Sequence, residues 1–156
     1  MRKVPLGTTI AYGMPGLGAG YMYLLMSLYV MKFSTDVLLI APAVMGVIFS
    51  ISRIWDAVSD PIAGYLSDRT TFKFGRRRTW MLISFIPISF GFLAVFSPPE
   101  SMQGQSLDLW MMIAILSFYS AITLLNVPHM ALGAELSEDY HERTRLFGVR
   151  HIGFTL

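Results

Sequence analysis

The sequence predicts an all-α fold: a polytopic transmembrane helical bundle of four complete helices and the start of a fifth, with a cytoplasmic N-terminus. Three observations carry this prediction. First, 54% of the 156 residues are apolar or aromatic and only 14% are charged, against about 25% charged in an ordinary soluble domain. Second, the charges cluster, leaving four apolar stretches that each reach the ~20 residues a helix needs to cross a bilayer. Third, Lys and Arg concentrate on alternate connections, the pattern that sets membrane orientation. The apolar content excludes a disordered chain, and the lack of a repeat excludes a collagen-like or low-complexity one. With no cysteine, a disulfide framework, a thiolate metal site and a Cys nucleophile are all excluded.

The four stretches cover residues 7–33, 40–66, 79–96 and 107–132, and a fifth begins near Leu146 and continues to Leu156. Met1-Arg2-Lys3 lacks the layout of a cleaved signal peptide, so the first span is retained. On one side lie Arg2, Lys3, Arg69, Lys73, Arg76, Arg77, Arg78, Arg143 and Arg145, with Arg150 at the start of the fifth span. The opposite connections hold Lys32 near Asp36, then Glu100 and Asp108. This places loops 67–78 and 135–145 in the cytoplasm. The net charge of +2 reports this asymmetry. No aromatic-interleaved basic stripe marks a nucleic-acid partner.

The first span is rich in glycine. Gly16 and Gly20, at i and i+4, fit close helix packing, and Pro15 is expected to interrupt the helix near a binding site. Tyr21, Tyr23 and Tyr29 follow, suited either to stacking on a solute or to packing and interface anchoring.

The second span carries Arg53, Asp56, Ser59 and Asp60, followed by Pro61. A charge at the bilayer centre costs about 2.5–3.5 kcal/mol on insertion scales, whereas one apolar residue returns only about 0.3–0.6 kcal/mol. These groups must therefore face protein or a water-filled cavity. Positions 53, 56 and 60 share one helix face. Pro61 has no N–H, so the Ala57 carbonyl loses its helical donor. Two carboxylates, a hydroxyl and a freed carbonyl within about one turn suit a hard cation, and two neighbouring acids also suit proton coupling. Two plainer readings stay open: one acid pairs with Arg53 to let the helix pack, or Asp60 sits hydrated near the cytoplasmic end.

The third span has no charge, as expected of a helix facing lipid or apolar neighbours. The fourth carries Tyr119, Thr123 and Asn126 at i, i+4 and i+7, with Ser120 alongside and Pro128-His129 after. Such side chains join membrane helices by hydrogen bonds, or here line the cavity that receives Asp56 and Asp60. His129 alone is weak support for a proton relay, and no ligand spacing supports a metal enzyme.

Between the second and third spans, Gly64-Tyr65-Leu66-Ser67-Asp68-Arg69 leads into Gly75-Arg76-Arg77-Arg78. This resembles the corresponding loop of major facilitator superfamily transporters, in an extended form. Asp68 can cap or pair at a helix end while the arginines anchor the next helix and engage acidic headgroups. Together with residues 53–61 the match narrows. The chain resembles the glycoside–pentoside–hexuronide:cation symporter family, of the melibiose permease type, over essentially all 156 residues.

The resemblance implies that residues 1–156 form part of the N-terminal helical half of such a transporter. It implies cation-coupled symport of a small solute, a sugar or glycoside, by alternating access. Asp56 and Asp60 then hold the coupling cation, Na⁺ or H⁺, with Ser59 in place of the family's amide and Thr123 as the hydroxyl of the fourth helix. The family's sugar-binding acids fall on Gly20 and Asn126. These departures, with Tyr23 and Arg53 as further candidate contacts, leave the substrate class open. Gly64, Asp68, Arg69, Gly75, Arg76 and Arg77 form the loop that changes with conformation. No cofactor is implied beyond the coupling ion. The partners are the solute, a monovalent cation, the bilayer of the cell membrane and the C-terminal helices of the transporter. A lysolipid transporter of the same fold and a non-transporting membrane scaffold are the alternatives. An enzyme is not expected, because no nucleophile–base or metal constellation is present.

The absence of cysteine makes the orientation directly measurable. In intact cells a membrane-impermeant maleimide should label Ser101→Cys at once and Thr71→Cys only after permeabilisation. The opposite order overturns the orientation.

Overall fold

The computed structural model describes residues 4–71, 75–137 and 139–155. The charges read at Arg2, Lys3 and Lys73, and the terminal Leu156, lie outside the described residues. Each apolar stretch is helical. The helices are α1 (Leu6–Lys32), α2 (Pro42–Arg69), α3 (Arg76–Phe96), α4 (Gln105–Leu136) and α5 (Tyr140–Thr155). A π-helical turn, Phe33–Val37, extends α1. No strand occurs among the described residues.

The local chemistry explains the boundaries. Pro42 opens α2 at a position where its missing N–H has no helical acceptor to lose. Gly75 precedes α3 with φ of 96°, a left-handed conformation that glycine adopts without a Cβ clash. Asp139 caps α5: its Oδ1 accepts the backbone N–H groups of His141 (2.8 Å) and Glu142 (3.2 Å), as an N-cap side chain does.

That cap corrects the expected start of the fifth helix. It begins at Tyr140, not near Leu146, so most of the expected 135–145 loop is helical. Hydropathy concealed the first turn and a half because Glu142, Arg143 and Arg145 lie within it. The interruption expected at Pro15 is also absent: α1 runs through it, and α2 runs through Pro61. A proline removes one ladder hydrogen bond, and the flanking turns keep theirs.

Among the described residues, α3 and α4 are the helices both long and apolar enough to cross a membrane. With 27 and 28 residues, α1 and α2 have the length. In α2 the charges at 53, 56 and 60 dilute the hydropathy; in α1 glycines and hydroxyl groups do.

The most extensive helix contact is α3 on α4, followed by α1 on α5 and α2 on α4. α4 supplies half of the main core, with Met111, Ile115, Phe118 and Leu125 fully buried against Met26, Met45, Ile88 and Val95 of the other helices. Several close approaches depend on missing side chains. A Cβ on Gly91 of α3 would lie 2.9 Å from Phe118 Cα. On α1, Gly13, Gly16 and Gly20 form a stripe at i, i+3 and i+7 against α5, where a Cβ on Gly20 would meet the Phe154 backbone and one on Gly16 would lie 3.2 Å from the Arg150 carbonyl oxygen. The close packing expected of Gly16 and Gly20 is present, with α5 as the partner. This contact is backbone on backbone.

The stripe gives a paired test. Gly20→Ala should destabilise the detergent-solubilised protein by about 1–3 kcal/mol, the cost of overpacking a tight contact. Gly18, on the same helix with nothing near its would-be Cβ, should gain about 0.5–1 kcal/mol on substitution by Ala. Thermal unfolding of both variants reads the difference, and equal responses would remove the contact's importance.

Candidate functional site

The charged face of α2 meets α4 through short polar side chains. Thr123 donates its hydroxyl to Asp60 Oδ1 at 3.0 Å. One turn earlier, Asp56 Oδ2 lies 3.4 Å from Arg53 Nη1. The other oxygen, Asp56 Oδ1, is buried and has no hydrogen-bond partner among the described residues. Ser59 donates back to the Asp56 carbonyl oxygen at 3.4 Å, so its own oxygen keeps lone pairs to offer. Trp55 Nε1–H donates to Ser120 Oγ at 2.7 Å, a second α2–α4 tie. Among the described residues no group of three or more carboxylate and imidazole side chains is placed to hold a metal. The set is two carboxylates with neutral hydroxyls, a hard-oxygen set of the kind alkali cations accept.

Arg53 divides its interactions. Besides Asp56, its guanidinium lies over the Tyr119 ring, 5.1 Å from the centroid, within cation–π range. The Tyr23 ring meets Tyr119 edge-on at 6.1 Å and packs against Phe154 at 5.8 Å. Arg53 and Tyr23 therefore touch the same aromatic group. Of the two plainer readings of α2, the pairing with Arg53 holds for Asp56 but not for Asp60, which is bound by Thr123. Asp60 is also exposed.

Asn126 and Gly20 fall elsewhere. Of the two readings for Asn126, the structure has the interhelical hydrogen bond: Asn126 Oδ1 accepts Arg150 Nη2–H at 3.1 Å. Three residues fall about 60° short of a full helical turn, so Asn126 points toward α5 while Thr123 points toward α2. Gly20 is buried against α5, where it provides room for a helix and no chemistry of its own.

Sequence reasoning missed the centre to which Asn126 belongs. Arg150 also donates its Nε–H to His129 Nδ1 at 3.3 Å. The other ring nitrogen, His129 Nε2, lies 2.7 Å from the Tyr12 carbonyl oxygen, and the Tyr12 hydroxyl donates to the His129 carbonyl at 3.0 Å. The Tyr12 and His129 rings pack with centroids 4.5 Å apart. His129 is 1% exposed. One residue each from α1 and α5 and two from α4 thus close a polar knot inside an apolar bundle. The available signal was the lone cation Arg150 within the fifth apolar segment.

The connecting loop forms a third cluster. Arg77 Nη2 lies 3.1 Å from Asp68 Oδ1 and 3.0 Å from Glu135 Oε1, while Arg76 Nη2 approaches the same Glu135 oxygen at 2.5 Å. Glu135, at the end of α4, is the partner that the loop motif alone did not reveal. Arg69 leaves the cluster and lies over the Tyr65 ring at 4.4 Å. Gly64 sits where α4 passes, with a would-be Cβ 3.6 Å from Val127.

Comparison with known proteins gives the family. A family model described as MFS/sugar transport protein matches residues 11–156, and the chain belongs to that family. An uncharacterized symporter of Synechocystis sp. is 36% identical over 153 residues, covering 95% of this chain and 28% of its own length. A putative glycoside/cation symporter of Escherichia coli is 31% identical over 149 residues, 94% of this chain and 32% of that protein. A sodium-dependent lysophosphatidylcholine symporter of Danio rerio is 33% identical over 112 residues, 71% of this chain and 21% of that protein. The chain thus spans about a third or less of the length of these relatives.

The loop cluster makes a direct prediction. Glu135→Gln removes the carboxylate shared by Arg76 and Arg77 and leaves Arg77, whose side chain is 12% exposed, with Asp68 alone. Stability should fall by about 1–2 kcal/mol, below the ~3–5 kcal/mol for breaking a fully buried pair, since Glu135 is 42% exposed. Thermal unfolding in detergent checks this, and an unchanged midpoint would mean that Asp68 suffices.

Proposed function

We propose that these helices belong to a cation-coupled symporter in which Asp56 and Asp60 bind Na⁺ or H⁺ and a small solute binds near Tyr23, Arg53, Asn126 and Arg150. The observation that carries the reading is the Asp60–Thr123 hydrogen bond between α2 and α4, one turn from the unpartnered buried oxygen of Asp56. A cation held there bridges two helices, so its affinity depends on their separation, and that dependence is what coupling requires.

In this reading the chain is a multi-pass membrane protein of the cell membrane with a cytoplasmic N-terminus. Support comes from Leu82, Ile86, Phe90 and Leu93, which make one exposed face of α3 predominantly apolar, as a lipid-facing surface is. The solute class follows two relatives. The printed name of the Escherichia coli relative favours a glycoside, with the Asn126 amide and Arg150 guanidinium as hydrogen-bonding groups for hydroxyls. The Danio rerio relative favours a lysophospholipid as the second reading. Chemistry on the solute is not part of either reading.

Uptake into cells or vesicles carrying the full chain should respond to an imposed Na⁺ or H⁺ gradient. Asp56→Cys and Asp60→Cys should each abolish that response, and Thr123→Val should weaken cation dependence by about fivefold, the worth of one net hydrogen bond. Gradient dependence that survives both Cys variants sinks the cation assignment. Competition by lysolipids and not by glycosides selects the second reading, and no flux under any gradient selects a scaffold.

A further inference from the structure

The three polar clusters differ in how tightly their members are held. His129 is the extreme case: it is buried in the last third of α4, and each ring nitrogen meets a partner whose role is chemically fixed. The Tyr12 carbonyl can only accept, so Nε2 at 2.7 Å carries the hydrogen. The Arg150 Nε–H can only donate, so Nδ1 at 3.3 Å presents its lone pair. Both partners demand the same neutral tautomer, and the Tyr12 hydroxyl fixes the backbone of the same residue. Rotating the ring by half a turn would put Cδ2–H in the place of Nδ1 and Cε1–H in the place of Nε2, and so lose the bonds to both Arg150 and Tyr12. It is a rigid acceptor aimed at α5.

Arg150 is the opposite case. It is a long, half-exposed side chain carrying five N–H donors and many rotamers. The bond to His129 takes its Nε–H, which lies closest to the stem, and this sets the plane of the guanidinium. The Nη2 group then reaches Asn126. We propose that His129 is a positioning residue for the solute site: it orients the Arg150 guanidinium so that its outer N–H groups stand beside Asn126, ready for an oxygen-bearing group of the solute. This rests on the proposed solute site between α1, α2, α4 and α5. Its structural half, that His129 holds Arg150, is measurable without any solute.

The probe is phenylglyoxal, which modifies arginine, with each residue's rate followed by mass spectrometry on the full chain in membrane vesicles. In His129→Gln the amide nitrogen falls near Nε2 and keeps the bond to Tyr12, but the acceptor for Arg150 is lost. Arg150 should then react about fivefold faster, the factor corresponding to one net hydrogen bond of restraint. In His129→Asn the side-chain oxygen falls near Nδ1, and Arg150 should keep close to its original rate. Arg145, paired with Glu142 outside this knot, serves as the internal reference. Equal acceleration in both variants means that His129 acts through packing alone, and it overturns the proposal. No acceleration in either means that Asn126 suffices, and it overturns the proposal as well.

If the His129 variants do not fold, Asn126→Ala decides the same question. Arg150 staying slow supports His129 as the holder, and Arg150 reacting as fast as Arg145 overturns it. Uptake of the glycoside or lysolipid identified by the gradient experiment then separates the two layers. A KM raised in His129→Gln and restored in His129→Asn supports the whole. A KM unchanged while Arg150 reactivity rises leaves the restraint standing and removes the solute from this site.

Discussion

A polar group inside a bundle of helices has only other helices to answer it, and in this protein α4 gives most of the answers. Thr123, Asn126 and His129 lie three residues apart. Each step falls about 60° short of a full turn, so the three side chains turn progressively around the helix. Thr123 meets Asp60 of α2, Asn126 meets Arg150 of α5, and His129 meets both Arg150 and the Tyr12 carbonyl of α1. Glu135 continues the role at the helix end by binding Arg76 and Arg77 of α3. Unanswered polar groups at low dielectric are costly, so the placement of α1, α2, α3 and α5 around α4 is constrained by its polar residues as much as by its apolar ones.

The division of labour among these residues follows from their chemistry. Thr123 offers a hydroxyl, neutral and small, which can bind a carboxylate and leave its remaining lone pairs directed at a cation. Asn126 offers an acceptor to a guanidinium and a donor to whatever lies beyond it. His129 has both nitrogens committed. Weak support for a proton relay at His129 therefore turns into an argument for rigidity, because a ring held between a carbonyl and a guanidinium has no free site for proton exchange. Mobility belongs to Arg53, which is exposed and shares itself between a long ion pair and the face of Tyr119.

Much of this was legible in the sequence, for identifiable reasons. Helix positions followed from runs of apolar residues, since α1 to α4 each carry one. The charged face of α2 was legible because three charges in an apolar run demand an explanation, and the resemblance then singled out Thr123, which meets Asp60. The start of α5 was not, because its signal is a cap, Asp139, and not a hydropathy edge. Pro15 was overread: α1 runs through it, losing one hydrogen bond and retaining the rest. The knot around His129 was missed because Tyr12 and His129 lie 117 residues apart, and the lone Arg150 did not by itself name its partners.

Two seams of the bundle are built from different materials. Between α1 and α5 the glycine stripe brings backbone against backbone, and such a contact has no rotamers with which to adjust. Between α2 and α4 the ties are Asp60 to Thr123 and Trp55 to Ser120, made through rotatable side chains that can lengthen or exchange partners without repacking. α1 and α5 therefore behave as one stiff beam, and the slack of the structure is concentrated along α2. The acidic residues lie on the pliable side, where a small ion bound between two helices has the most leverage over their spacing.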